Sequence, residues 1–226
     1  MMDNLSVLIG TCDAYCPLWK NFSICFNRYW KHCTRNIFVG ETISVPSYGD
    51  TKFETILCDK DRPWGERMLA GIEMSSDYIF FIVEDFFLSY SYLKQQLDMY
   101  VEDMKLHKMN RLQISHGGPP GQNYVSVYNI NYDRIAANSE YLISMQPSIW
   151  SREFLLRVLK PEYSPWDFEL EGSYQLRGKE KNTYIDRFYE SFDVYFPAAR
   201  SSCYGPDFRQ EVGWEDFRKR HYLKDF

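Results

Sequence analysis

The longest uninterrupted apolar run in this sequence is Tyr78 to Val83, far below the roughly 18 residues that a membrane-spanning helix needs. Met1 to Asp3 offer no basic segment followed by an apolar core, so no export signal is expected and a cytoplasmic location is. The six cysteines, Cys12, Cys16, Cys25, Cys33, Cys58 and Cys203, form no Cys-x-x-Cys pair and none stands at zinc spacing from a histidine. Reduced, mostly buried thiols are the expectation. With a net charge of −5 the chain does not read as a nucleic-acid coat. Gly-x-x-x-x-Gly-Lys-Ser/Thr is absent, and no Gly-x-Gly-x-x-Gly follows the first apolar segment. Ser201 and Ser202 lack a Gly-x-Ser-x-Gly setting. No internal repeat, low-complexity tract or linker divides the 226 residues, so one domain spanning 1–226 is expected.

What is present is an alternation of short apolar runs and amphipathic segments. Ser6–Gly10 (SVLIG) reads as a buried strand, and Asn36–Gly40 and Ile56–Cys58 as further strands. Between the first two, Pro17 opens a helix to about His32, with Leu18, Phe22, Cys25, Phe26, Tyr29 and Cys33 on one face. Asp61-Arg62-Pro63 starts a second helix, with proline in its first turn. Tyr78–Val83 (YIFFIV) is apolar on both faces, as a central strand covered from both sides must be. Tyr92–Lys108 follows as an amphipathic helix. This cadence predicts an α/β fold with a Rossmann-like, mostly parallel sheet flanked by helices. The second half is more mixed. Arg111–Ser115, Val125–Ile130 and Tyr141–Met145 read as strands, Pro147–Leu159 as a turn and a helix, and Ser164–Ser173 as the start of another helix.

In open α/β sheets ligands bind beyond the carboxyl ends of the strands. Three polar loops fall there, holding Thr11 and Asp13, Asp59 and Asp61, and Glu84 and Asp85. Carboxylates gathered on one edge repel one another, and a divalent cation carrying a diphosphate would offset that. Glu84 and Asp85 end the most apolar strand and are followed at once by Phe86 and Phe87, which suggests a packed floor rather than a solvated tip. Their hard oxygen ligands suit Mg²⁺ or Mn²⁺; the alternative is a surface turn capped by Asp85. Ser164 and Asp167 form a capping-box-like pair around Pro165, which accounts for Asp167. Glu169, between Phe168 and Leu170, has no such structural role, and an acid among apolar groups suits a general base; the alternative is a side chain that points to water. His116, in the glycine- and proline-rich loop 116–121, and His221 are weaker candidates. Aromatic residues make up 18% of the chain, and those beyond the core's needs often line sugar or base sites. Arg218, Lys219, Arg220 and His221 read as a solvated helix end, or as a weak contact to a diphosphate or anionic lipid.

Four features in this order resemble nucleotide-sugar glycosyltransferases of the GT-A fold: the Thr11-Cys12-Asp13-Ala14-Tyr15 loop, Pro63-Trp64-x-x-Arg67, the strand ending in Glu84-Asp85, and Trp166-Asp167-Phe168-Glu169. The likeness runs over roughly residues 5 to 175. It implies a hexosyltransferase-like enzyme of polysaccharide biosynthesis. Thr11, Asp13 and Tyr15 would hold the donor's base and ribose, joined by Asp59 or Asp61, and Arg67 would reach the diphosphate. Glu84-Asp85 stands where the family has a spaced Asp-x-Asp, with Glu84 on the donor and Asp85 on a Mg²⁺ or Mn²⁺ ion. Glu169 falls at the catalytic base of a Trp-Gly-x-Glu motif, with Asp167 in place of the glycine and a second catalytic candidate. The acceptor implied is a glycan or a lipid-linked precursor, reached by peripheral membrane contact and without nucleic acid. A non-catalytic carbohydrate-binding protein on the same scaffold is the alternative. A nucleotidyltransferase would want a glycine-rich basic loop after the first strand, which Thr11 to Tyr15 do not supply.

Overall fold

The structure, a computed structural model, describes residues 4–32, 34–46, 49–88, 91, 94–115, 119, 121–128 and 130–186, with 194–195, 198–199, 207–210 and 219 beyond them. His116, Arg218, Arg220, His221, Ser201, Ser202, Cys33 and Cys203 lie outside the described residues. Among the elements described, five helices pack on a mixed sheet. In chain order the elements are β1 (Leu5–Gly10), a 3-10 turn (Asp13–Tyr15), α1 (Cys16–Tyr29), β2 (Arg35–Gly40), β3 (Glu54–Leu57), α2 (Trp64–Glu73), β4 (Tyr78–Val83), β5 (Phe87–Leu88) and α3 (Lys94–Leu106). Then come β6 (Arg111–Gln113), β7 (Tyr124–Ser126), β8 (Tyr132–Ile135), β9 (Ser148–Ser151), α4 (Arg152–Val158), α5 (Pro165–Leu176) and β10 (Thr183–Asp186). Short strands β11 (Val194–Tyr195), β12 (Ala198–Ala199) and β13 (Asp207–Gln210) follow, β11 pairing with β5 and β12 with β13.

The main sheet has nine strands in the order β3-β2-β1-β4-β9-β6-β10-β8-β7. The run from β3 to β4 is parallel throughout, and β6, β10 and β7 point the same way. Only β9 and β8 are reversed among these strands. This is the mostly parallel α/β sheet that the sequence predicts. Successive residues of a strand face opposite sides, and the core divides accordingly. Val7, Ile9, Phe38, Phe80 and Ile82 meet Phe22 and Phe26 of α1 and Leu97, Tyr100 and Met104 of α3. Leu8, Ile37, Val39, Ile79 and Phe81 meet Met68 and Ile72 of α2, Phe154 and Leu155 of α4, and Phe168 of α5. Each fully buried large apolar side chain of this kind contributes about 1.5–3 kcal/mol.

Several local expectations change. Pro63 is the N-cap of α2 rather than a residue of its first turn. The amides of Gly65 and Glu66 donate to the carbonyls of Tyr163 (2.8 Å) and Pro161 (2.9 Å). A Cβ on Gly65 would lie 2.1 Å from the Lys160 carbonyl oxygen, so only glycine admits this close approach. Residues 141–145, expected as a strand, form turns and bends. Their backbone is bonded by side chains instead of by a neighbouring strand. Gln122 donates to the Tyr141 carbonyl, Arg111 to those of Leu142 and Ser144, and Ser173 bonds both backbone groups of Ile143. β8, β9 and β10 fill the sheet in its place.

Candidate active site

Gly10 pairs with Val39 of β2 and with Val83 of β4, so the carboxyl ends of three adjacent strands are level. After β1 the chain moves to β2 on one side, and β4 lies on the other, which makes this edge the switch point of the sheet. A cavity of about 340 Å³ opens there. Gly10, Thr11, Cys12 and Tyr15 line it from β1, Glu41 from β2, and Val83, Glu84 and Asp85 from β4. Trp64 and Arg67 enter from α2, and Pro165, Trp166 and Glu169 from the first turns of α5, with Met145 beside them.

The floor is buried and polar. Thr11 accepts a hydrogen bond from Trp19 Nε1 at 2.7 Å and its hydroxyl also bonds Glu84. Glu84 and Asp85 are both buried. Burial, then the adjacent Asp85 charge, pushes the Glu84 carboxyl well above its ordinary value, against hydrogen bonds from backbone and Thr11 and the charge of Arg67. Two neighbouring buried carboxylates cannot both ionise cheaply, so the Glu84 carboxyl holds its proton to higher pH than a free one. The Cys12 thiol is driven up to about 11 by burial and by Glu84 and Glu41, so it is uncharged near neutrality.

Arg67 is the cation of the floor. Its Nη1 pairs with Glu41 Oε1 at 3.1 Å and donates to the Thr11 carbonyl at 3.4 Å. Its Nε is buried and makes no hydrogen bond. Glu41 also accepts from the Asp13 backbone amide at 2.9 Å. The sequence reading passed over Glu41, although it follows Gly40 as Thr11 follows Gly10, an acid at the end of an apolar strand.

α5 begins at a full capping box. Ser164 Oγ accepts from the Asp167 amide at 3.1 Å and the Asp167 carboxylate accepts from the Ser164 amide at 2.9 Å. The Ser164 hydroxyl, donating to the carboxylate at 2.6 Å, and then the Ser164 amide hold the exposed Asp167 carboxyl below its ordinary value. Asp167 lies outside the cavity lining, while Glu169, two residues on, faces in and accepts from the Met145 amide at 2.5 Å.

The remaining expected donor residues divide. Thr11, Tyr15, Arg67 and Glu84 line the cavity with Asp85. Asp13 does not; its carboxylate accepts from the amides of Thr42 and Ile43, both at 3.1 Å, and so fixes the loop that carries Glu41. Asp59 and Asp61 form an exposed turn, Asp59 accepting from the Asp61 amide at 3.2 Å, outside the lining. Among the described residues no group of three or more His, Cys, Asp or Glu forms a ready-made metal site. None of the described helices is long and apolar enough to cross a membrane.

Among solved structures the fold is similar to that of S. aureus TarS residues 1–349 in complex with UDP-GlcNAc, with a TM-score of 0.55 at 13% identity, covering 85% of this chain and 58% of that one. It is also similar to S. aureus TarS, with a TM-score of 0.54 at 12% identity, covering 85% of this chain and 36% of that one. This chain therefore spans little more than half of the one and about a third of the other. At this identity the likeness is one of fold, a mostly parallel α/β sheet flanked by helices. No protein-family model and no curated protein matches the sequence.

Proposed function

We propose that this chain is a single glycosyltransferase domain that moves a sugar from a nucleotide-sugar donor to a hydroxyl of a glycan or lipid-linked acceptor, inverting the anomeric carbon. The observation that carries this reading is the one cavity at the strand ends, where Glu169 stands with Thr11, Arg67, Glu84 and Asp85. Residues from four distant segments converge there, on a fold whose ligands sit at that edge. Glu169 takes the proton of the acceptor hydroxyl as its oxygen bonds to the anomeric carbon. The bond from that carbon to the phosphate oxygen breaks, and its electron pair leaves with the nucleoside diphosphate. Arg67, with a free buried Nε, meets the charge that develops on the leaving group. Thr11 and Tyr15 face the donor directly, and Asp13 acts by holding the Glu41 loop.

Asp85 would hold a Mg²⁺ or Mn²⁺ ion. Asp85 in the cavity lining, with Glu84 beside it, fits the way such ions bind, through one or two carboxylates plus substrate phosphates. When bound, the ion supplies further neutralisation of the diphosphate. On the acceptor side, Trp166, Leu170 and Tyr174 are 57%, 46% and 69% exposed and recur every four residues on α5, beginning at the cavity. Such a stripe offers ring and apolar faces to sugar rings. The site fits polysaccharide biosynthesis in the cytoplasm or at the cytoplasmic membrane face.

The adjacent Glu84-Asp85 pair, in place of a spaced Asp-x-Asp, favours a second reading, a carbohydrate-binding protein without catalysis. A melting-temperature screen with uridine, guanosine and thymidine diphosphates, with and without Mn²⁺, separates the two. A ligand at a hundred times its Kd stabilises the native state by about 2.7 kcal/mol. A shift with one of them is expected; no shift at millimolar nucleotide, with a response to glycans alone, would establish the binder.

A further inference from the structure

Arg111 of β6 is fully buried, and among the described residues no carboxylate lies within salt-bridge distance of it. Its guanidinium donates from Nη2 to Gln113 Oε1 at 2.8 Å, to Ser144 Oγ at 2.7 Å and to the Ser144 carbonyl at 3.3 Å. Nη1 reaches the Leu142 carbonyl at 3.4 Å, and the group lies 5.0 Å over the Trp150 ring. Burying a cation without a direct counter-charge costs stability, and an apolar side chain would pack this position more cheaply. The bonds lead toward the cavity. Leu142 and Ser144 belong to the segment whose next amide, Met145, donates to Glu169, and Ser173 ties Ile143 of that segment to α5. The carboxylate that acts most strongly on Arg111 is Glu169.

We propose that Arg111 is a positioning residue for Glu169, fixing the 142–145 segment that holds the carboxylate and supplying a buried positive charge that favours its ionised form. This rests on Glu169 being the base. From β1, β2 and β4 the cavity presents Cys12, Tyr15, Glu41, Glu84 and Asp85; α2 presents Arg67, and α5 itself carries Asp167 and Glu171 nearby. Arg67, the cation of the floor, is already paired with Glu41. Burial brings Arg111 down only to about 9, with the Glu169 charge opposing that fall, so the guanidinium is charged at neutral pH.

Two substitutions separate the brace from the charge. Arg111→Gln removes both. Gln113→Glu keeps an oxygen acceptor beside Nη2 and cancels the charge with almost no change of shape. The readout is the titration of the Glu169 carboxyl by ¹³C NMR, assigned with Glu169→Gln, beside the pH dependence of kcat/KM. Both variants are expected to move the Glu169 midpoint, and the acid limb of the rate profile, upward by about one pH unit. Gln113→Glu should do so with the Met145 amide resonance still showing its hydrogen bond, and it decides the matter alone if Arg111→Gln does not fold. An unmoved midpoint in Gln113→Glu overturns the inference, even if activity falls uniformly. A midpoint that moves while Glu169→Gln retains full turnover would instead overturn the assignment of Glu169 as base and leave the coupling intact.

Discussion

The strands β2, β1 and β4 bury apolar residues on both faces, whereas the strands beyond β4 carry Arg111, Gln113, Ser148 and Thr183 at fully buried positions. The first region is held by hydrophobic burial, which is strong but non-directional. The strand ends are level there, Gly10 pairing with both Val39 and Val83. The second region is held by directional hydrogen bonds: Arg111 and Gln122 donate to carbonyls of 141–145, and Ser173 and Glu169 accept from its amides. Such bonds aim a side chain. The proposed base thus sits where a carboxylate can be oriented, and the buried Glu84 and Asp85 follow the apolar β4.

Glu169→Gln strikes that polar side hardest. The amide oxygen can still accept from Met145, but the side chain no longer takes a proton, so turnover should fall ~10²–10⁴-fold. Donor affinity should stay close to wild type. Steady-state rates with a parallel donor titration check this, and full activity in the variant would move the base elsewhere.

Glu84→Gln probes the apolar side. A carboxyl whose folded value is raised keeps its proton in the native state where the unfolded chain has lost it. Stability must then fall as pH rises above the ordinary value of 4.5 toward the raised one. Melting temperatures measured across that range should decline in the wild type and flatten in Glu84→Gln. Parallel curves would show that the buried floor carries no such proton.

Asp167→Asn should have the smallest effect, a loss of about 1 kcal/mol of stability from the α5 cap with most activity retained. Because hydrogen bonds from Ser164 lower the Asp167 carboxyl, its contribution is present above 3.8 and is lost as pH falls through the lowered value. Denaturant melts at neutral and acid pH test this. A dead Asp167→Asn beside an active Glu169→Gln would exchange the roles of the two acids.

Legibility in the sequence follows the same division. YIFFIV could be read as a central strand because nothing polar interrupts it, and β4 spans those residues. The Ser164–Asp167 capping box is local, needs no tertiary partner, and is present as expected. Tyr141–Met145 misled because YLISM has the composition of a strand, while the side chains that occupy its backbone come from residues 111, 122 and 173. β10, Thr183–Asp186, is too short and polar to announce itself. Nothing local marks Arg111 as buried, since one arginine in a short strand gives no such sign. In the cavity, strand-end chemistry was visible for Thr11, Glu84 and Asp85. The placing of Asp13, Asp59 and Asp61 outside the lining depends on turns that those acids themselves bond.

The account stands most directly on whether this cavity binds a nucleotide-sugar donor through Asp85 while Glu169 serves chemistry alone. Calorimetric titration of the donor, in the presence of Mn²⁺, into the wild type, Glu169→Gln, Asp85→Asn and Asp77→Asn measures it. Asp77 lies before β4 and outside the cavity lining. The prediction is wild-type affinity in Glu169→Gln and Asp77→Asn and a loss of tenfold or more, about 1.4 kcal/mol or greater, in Asp85→Asn. Equal affinities in Asp85→Asn and Asp77→Asn, or a donor that binds none of the four proteins, would contradict it.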